Sequence, residues 1–340
     1  MKKIALPVLF SVIIFSGCYD MTDIENIKTV SAACVEPGKI TYCTVTTTPG
    51  EKSYGFELYP VETEDLYEGL NSISLKTGKE ISVSHLNALI FKKDCPVSLI
   101  STVCTSAING SEIHPKVMAA FVDMEFDDFF DKMLLPGDTV MYKKISDVFR
   151  DRYAAVTQCT VTELYHGLKH ESLGVNMPVF SLDAEGNIVS DGIGHVNVRD
   201  TGFFDRSIAD TVCLLKNSGK PVYYNTGANS VAVKLVGGGV DFDRERNYIS
   251  ISLEVGVSGG GKPVSENTLR ALEERISSDV IKICNQKNTG FDILNLNREM
   301  LRSFVSERDF TRYCSSKGGF YSMLTALEYD VHILAEEGDV

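Results

Sequence analysis

Residues 247–257 read NYISISLEVGV, and their alternation decides the fold. Ile249, Ile251, Leu253, Val255 and Val257 fall on one face, and Ser250, Ser252, Glu254 and Gly256 on the other. That period of two marks a half-buried antiparallel strand. Just upstream, Val231, Val233 and Leu235 alternate in the same way over 230–236. Downstream, the run from Gly259 to Pro263 (GGGKP) breaks the strand. Ser265 is then placed to cap a helix reaching Asn285, with Glu266 in its positive first turn and Val264 set to staple Leu269. Leu269, Leu272, Ile276, Val280 and Ile283 recur at spacings of three and four and form its buried stripe. A last alternating strand runs from Leu327 through Tyr329 and Val331 to Ile333. Strand, strand, long helix and strand predict a helix laid across an antiparallel sheet, an α+β domain over 226–340.

Toward the N-terminus the elements shorten and interleave. Ile40 to Thr48 is rich in β-branched residues and reads as a strand. Leu66, Leu70 and Ile73 make an amphipathic helix of 62–74, and 81–91 (ISVSHLNALIF) reads as a strand. Residues 97–107 read as a helix and 117–122 as a buried strand. Over 125–135, Phe126, Phe129, Phe130 and Met133 share one helical face, with Asp127, Asp128 and Asp131 opposite. A short helix is predicted over 162–171. A hairpin follows, VFSL and IVS about a turn at Asp183 to Asn187. A helix over 204–215 carries Ile208, Val212 and Leu215 inward. The chain is thus expected to be multi-domain α+β, mostly antiparallel sheets each packed with helices. The expected divisions are 31–175 (mixed α/β), 176–225 (hairpin plus helix) and 226–340.

The first residues carry a different message. Lys2 and Lys3 precede the apolar run Ile4 to Phe15, and Ser16-Gly17-Cys18 follows. This is a secretory signal layout, too short for a membrane span of about 20 residues. The ending matches the box after which a bacterial lipoprotein cysteine is diacylated and becomes the first mature residue, with Phe15 where leucine is usual. Residues 1–17 are therefore read as a cleaved lipoprotein signal peptide, 18–30 as a lipid-anchored tether, and Cys18 as the lipid attachment point. Two acyl chains meet the two-signal requirement for stable anchoring, at about 0.8 kcal/mol per buried methylene. The diacylglyceryl lipid on Cys18 is the one prosthetic group expected, with no cofactor or metal.

Charge narrows the partners. The 340-residue chain has a formal net charge of −13, from 33 Lys+Arg and 46 Asp+Glu. Losing Lys2 and Lys3 would take it to −15. Such a body offers no footprint to nucleic acid. Nine cysteines are present. Apart from Cys18 they are scattered without a C-x-x-C pair, so neither zinc nor a redox motif is indicated. Cys34 with Cys43, and Cys95 with Cys104, are spaced to close short loops, but buried thiols are the preferred reading.

The sequence offers no catalytic constellation. His166 and His170 stand four apart with Glu171 beside them, yet lack a zincin glutamate and a third ligand, so an exposed helix face is expected. His85 in an apolar run is expected to make a core contact, and His195 to lie in a loop. The glycine triplets 237–239 and 259–261 lack P-loop spacing and read as turns at strand ends. Asp123, Glu125, Asp127, Asp128 and Asp131 lack the spacing of an EF-hand. No Gly-x-Ser-x-Gly elbow occurs, and no enzyme activity is expected.

With these residues in place, the layout resembles the C-subunit lipoproteins of bacterial spore germinant receptors, the Ger(x)C family. Gly17-Cys18-Tyr19-Asp20 and Ile24-Glu25 follow the family opening, with Tyr19 in place of Trp. Gly78-Lys79-Glu80-Ile81 through His85 to Ile90 is similar to the family's Gly-Lys, apolar, His, apolar stretch. Residues 178–190 resemble the hairpin that opens its C-terminal region. The stretch 292–297 (DILNLN) falls where the family carries Asp-x-x-Gly-x-Gly, with Asn295 and Asn297 replacing the glycines, a residue that tolerates the left-handed conformation.

The resemblance implies a mixed α/β fold in three domains and a non-enzymatic subunit on the outer face of the spore inner membrane. It also implies integral-membrane A- and B-type receptor subunits as partners in germination. Cys18 alone carries over as a functional residue. A lipid-anchored solute-binding lipoprotein is the alternative, and an anchored hydrolase is disfavoured by the missing nucleophile and metal spacings.

Overall fold

The computed structural model describes residues 27–47, 54–110, 112–114, 116–133, 158–169, 174–216, 221–225, 230–285, 292–294 and 296–338. β1 (Ile27–Glu36), β2 (Lys39–Thr47) and β3 (Tyr54–Val61) form an antiparallel meander. α1 (Leu66–Thr77) starts where the Asp65 carboxylate accepts from the backbone N–H groups of Tyr67 and Glu68, and stops at Gly78 in the left-handed region. Next come β4 (Glu80–Ser82), β5 (Ala88–Lys92), α2 (Val97–Asn109), β6 (Met118–Val122) and α3 (Phe126–Met133). α4 (Val161–Gly167) is closed by a reciprocal capping box of Thr160 and Glu163. The hairpin β7 (Gly174–Leu182) and β8 (Ile188–Asn197) then leads into β9 (Thr201–Asp205).

All of these strands join one nine-stranded sheet in the order β3-β2-β1-β5-β6-β7-β8-β9, with β4 beside β1. Its flanks are antiparallel, while β1, β5, β6 and β7 run parallel. The residues of that centre suit it. β5 (ALIFK) and β6 (MAAFV) are apolar nearly throughout, as strands covered on both faces must be. Alternate residues feed two cores. Ala33, Leu89, Phe91, Ala119 and Phe121 pack with Leu70, Ile73, Ile100, Val103 and Leu164 from α1, α2 and α4. Ala32, Ile90, Ala120 and Phe180 on the other face pack with Phe126, Phe129 and Phe130 of α3.

α5 (Arg206–Lys216) leads to the second sheet. Its elements are β10 (Val222–Asn225), β11 (Ser230–Asp243), β12 (Tyr248–Ser258), α6 (Glu266–Asn285), α7 (Leu296–Leu301), α8 (Glu307–Ser316), α9 (Phe320–Ala326) and β13 (Glu328–Glu337). The strands are ordered β10-β11-β12-β13. The expected inward residues of β12 are all buried, as are Leu272, Ile276, Val280 and Ile283 of α6. The Ser265 hydroxyl accepts from the Thr268 N–H at 3.2 Å, which caps α6 as its sequence predicts. At the far end of β13, Glu273 Oε1 of α6 accepts from the Ala335 N–H at 2.9 Å.

The architecture is α+β, with corrections in detail. β13 lies parallel to β12 rather than antiparallel, because α6 to α9 form a crossover that returns the chain to the same end. Glycines 237–239 are not a turn but the middle of β11, beside a bulge between Leu235 and Gly237. A Cβ at Gly238 would lie 2.5 Å from the Ser252 carbonyl oxygen, so glycine permits the close approach. Residues 81–91 divide into β4 and β5 about a turn closed by the Leu86 N–H to the Val83 carbonyl. Phe204 belongs to β9, and α5 starts after it.

Two substitutions test this packing. On α1, a Cβ at Gly69 would sit 2.1 Å from the Tyr42 hydroxyl, which donates to the Leu66 carbonyl at 2.6 Å. Gly69→Ala is expected to cost about 1–3 kcal/mol by overpacking, read as a lowered urea midpoint. The Tyr67 hydroxyl is enclosed and meets no hydrogen-bond partner among the described residues. Tyr67→Phe is therefore expected to leave the midpoint unchanged or raise it.

Candidate functional site

Cys18, the one site residue named by the sequence, lies outside the described residues, as do Tyr19, Asp20, Ile24 and Glu25. The described body begins at Ile27, the first residue of β1. Its histidines are dispersed. His166 is exposed on α4, its ring edge-on to Tyr165 at 5.6 Å, while His170 and Glu171 lie outside the described residues. His85 is exposed on the β4–β5 turn rather than packed in a core. The acidic residues at 123–131 form the wet side of α3 and its approach, where Asp123 pairs with Lys93 and Glu125 with Lys92, each at 2.6 Å. Among the described residues no three His, Cys, Asp or Glu side chains converge as a metal centre requires.

His195 departs most from expectation. It lies within β8, fully buried, and not in a loop. Its Nδ1 is 2.6 Å from the Asn176 Oδ1 on β7, and the Asn176 Nδ2 donates to the Ile293 carbonyl at 3.0 Å. Ile293 belongs to the 292–297 stretch. There the buried Asp292 carboxylate accepts from the N–H groups of Leu296 at 2.7 Å and Asn297 at 2.9 Å, holding the start of α7. Asn297 itself lies in α7 without a positive φ, so the left-handed tolerance of asparagine is not used at that position. Asn295 lies outside the described residues. Around this polar line Ile193, Phe204, Ile208, Val212, Ile283 and Ile293 form a separate apolar cluster. The hairpin and the 292–297 motif, noticed separately in the sequence, thus meet in one buried seam.

A second polar group lies between α5, β10 and α6. Thr211 Oγ1 is 3.4 Å from both the Asp279 carboxylate and the Tyr224 hydroxyl, and Lys282 reaches Asp279 at 3.2 Å. The Arg275 guanidinium lies over the Tyr224 ring at 5.1 Å. Burial pushes the neighbouring Asp210 carboxyl up to about 6, against the pull of Arg206 and Arg275 and with the help of Asp279. Nothing in the sequence separated Asp210 and Asp279 from ordinary surface acids. Their burial follows from the crossing of two helices.

The described cysteines are shielded thiols. Cys34, Cys43, Cys95, Cys104, Cys159, Cys213 and Cys314 are buried and Cys284 is half-buried. Burial pushes the thiols of Cys43, Cys95 and Cys284 up to about 12 and that of Cys314 to about 11, so little nucleophilic thiolate forms at neutral pH.

This fold has a solved counterpart. It is similar to the crystal structure of the GerBC protein, with a TM-score of 0.53 at 11% sequence identity, over 88% of this chain and 93% of that chain. The resemblance to the Ger(x)C family drawn from the sequence is therefore matched in the fold. No protein-family model and no curated protein matches the chain.

Both polar groups yield predictions. Asp292→Ala leaves two buried N–H groups of α7 without their acceptor and is expected to lower stability by about 1–3 kcal/mol in urea denaturation. Asp210 binds its proton more tightly folded than unfolded, since about 6 lies above the ordinary 3.8. The stability it contributes is complete below about pH 4 and is lost as pH rises through 6, about 2–3 kcal/mol in all. Asp210→Asn is expected to flatten that fall, so that its advantage in urea midpoint over the wild type is larger at pH 7.5 than at pH 4.5.

Proposed function

We propose that this chain is the lipid-anchored, extracytoplasmic C-subunit of a nutrient germinant receptor. Cys18 carries the diacylglyceryl group and attaches the body to the outer face of the spore inner membrane. The subunit works without chemistry of its own, alongside integral-membrane A- and B-type subunits in the start of germination. The observation that carries this reading is the likeness to GerBC, which covers 88% of this chain and 93% of that one. The lipobox at Ser16-Gly17-Cys18 and the following Tyr19-Asp20 and Ile24-Glu25 support it in order and spacing. Among the described residues no helix is long and apolar enough to cross a membrane. The proposal gives attachment to the two acyl chains.

Deleting the gene in its native spore former is expected to abolish dipicolinate release after at least one nutrient. Cys18→Ala is expected to weaken release and to move the protein from the membrane to the soluble fraction. Normal release to every nutrient tried, with the protein present in growing cells, would overturn the receptor reading in favour of an anchored solute-binding protein.

A further inference from the structure

A polar cleft of about 150 Å³ opens at the end of the first sheet where β5 and β6 begin. One wall is the β4–β5 turn with Ser84, His85 and Asn87, and the other is the approach to β6 with His114 and Lys116. Its backbone is held by the sheet. The Asn87 N–H donates to the Ser31 carbonyl at 2.9 Å, and the Met118 N–H donates to the Asn87 carbonyl at 2.8 Å. The Asn87 side-chain amide donates to the His85 carbonyl at 2.7 Å and pins the turn.

The side chains left at the mouth are donors. His114 Nδ1 accepts from the Lys116 N–H at 3.1 Å, so a neutral ring carries its proton on Nε2. Lys28, Lys92 and Lys93 each meet a carboxylate. Lys116 forms no ion pair among the described residues, in a chain with 46 acidic and 33 basic side chains. Two imidazoles and an ammonium grouped without a carboxylate are complementary to an oxyanion. The space would hold about five waters, enough for one small anion.

We propose that this cleft binds a small oxyanion group, a phosphate or a carboxylate, through His85, His114 and Lys116. Its position bears on the source. β1 runs parallel to β5 and begins at Ile27 beside Glu80 of β4, so the cleft lies at the same end of the sheet as Ile27, where the described body begins. From Cys18 to Ile27 the extended reach is about 30 Å. A dissolved anion and a lipid headgroup phosphate can both arrive there. Only the second source rests on the anchor proposed above.

The test follows the His85 and His114 rings by NMR in the purified mature chain. Sodium phosphate and sodium acetate are titrated against sodium chloride of equal ionic strength. Both rings are expected to respond saturably to phosphate or acetate and not to chloride. Lys116→Gln is expected to weaken the response about tenfold, while Lys169→Gln, at an exposed lysine over Tyr165, leaves it unchanged. Phosphatidylglycerol vesicles that move the same rings, and that phosphate competes away, identify a headgroup. Vesicles without effect identify a dissolved anion. Rings that follow chloride equally, or a Lys116→Gln protein that titrates like the wild type, would overturn the proposal, and these soluble-anion arms stand whether or not Cys18 is lipidated.

Discussion

One asparagine amide joins the two halves of this molecule. Asn176 meets the His195 ring through its oxygen and the Ile293 carbonyl through its nitrogen, in a seam from which apolar side chains exclude water. At low local dielectric each of these bonds is strong, and each lost partner leaves a buried polar group exposed to its full desolvation cost. The surroundings accommodate the ring closely. A Cβ at Gly174 would lie 2.0 Å from the His195 Nε2, so the strand opposite must carry glycine there. The start of α7, the crossover to β13 and hence the edge of the second sheet are all positioned from this seam.

Legibility in the sequence followed length and period. β12 and α6 are long and strongly periodic, and their buried residues and the Ser265 cap were readable outright. β3, β9 and β10 are short or carry no clean alternation, and α7, α8 and α9 are too brief for a stripe to declare itself. Pairing direction was not legible either, because alternation reports which face is buried and not which way the neighbour runs. The 237–239 glycines misled for a physical reason. Glycine serves a bulge inside a strand as readily as a turn at its end.

The polar groups were less legible than the fold. His195 reads as a loop residue between Gly194 and Val196, yet Gly174 on the strand opposite makes room for its ring within β8, while Gly194 makes room on the other face. A Cβ at Gly194 would come 2.5 Å from the Phe121 ring. His85 errs the other way, since an apolar run conceals the tight turn that exposes it. Asp292 offered a signal, an acid just ahead of an apolar pair, but its role as the acceptor for α7 depends on a backbone conformation that no spacing encodes.

β13 lies at the edge of its sheet among the described residues, a ten-residue strand with an unpaired side. Such an edge is a template for another chain. Glu273 reaches from α6 to occupy the Ala335 N–H, and Glu328, Glu336 and Glu337 add like charge along the same strand. The carboxylate acts as a stopper in the open seam of a zip. Copies crowded side by side at high density can jostle without fusing into a continuous ribbon.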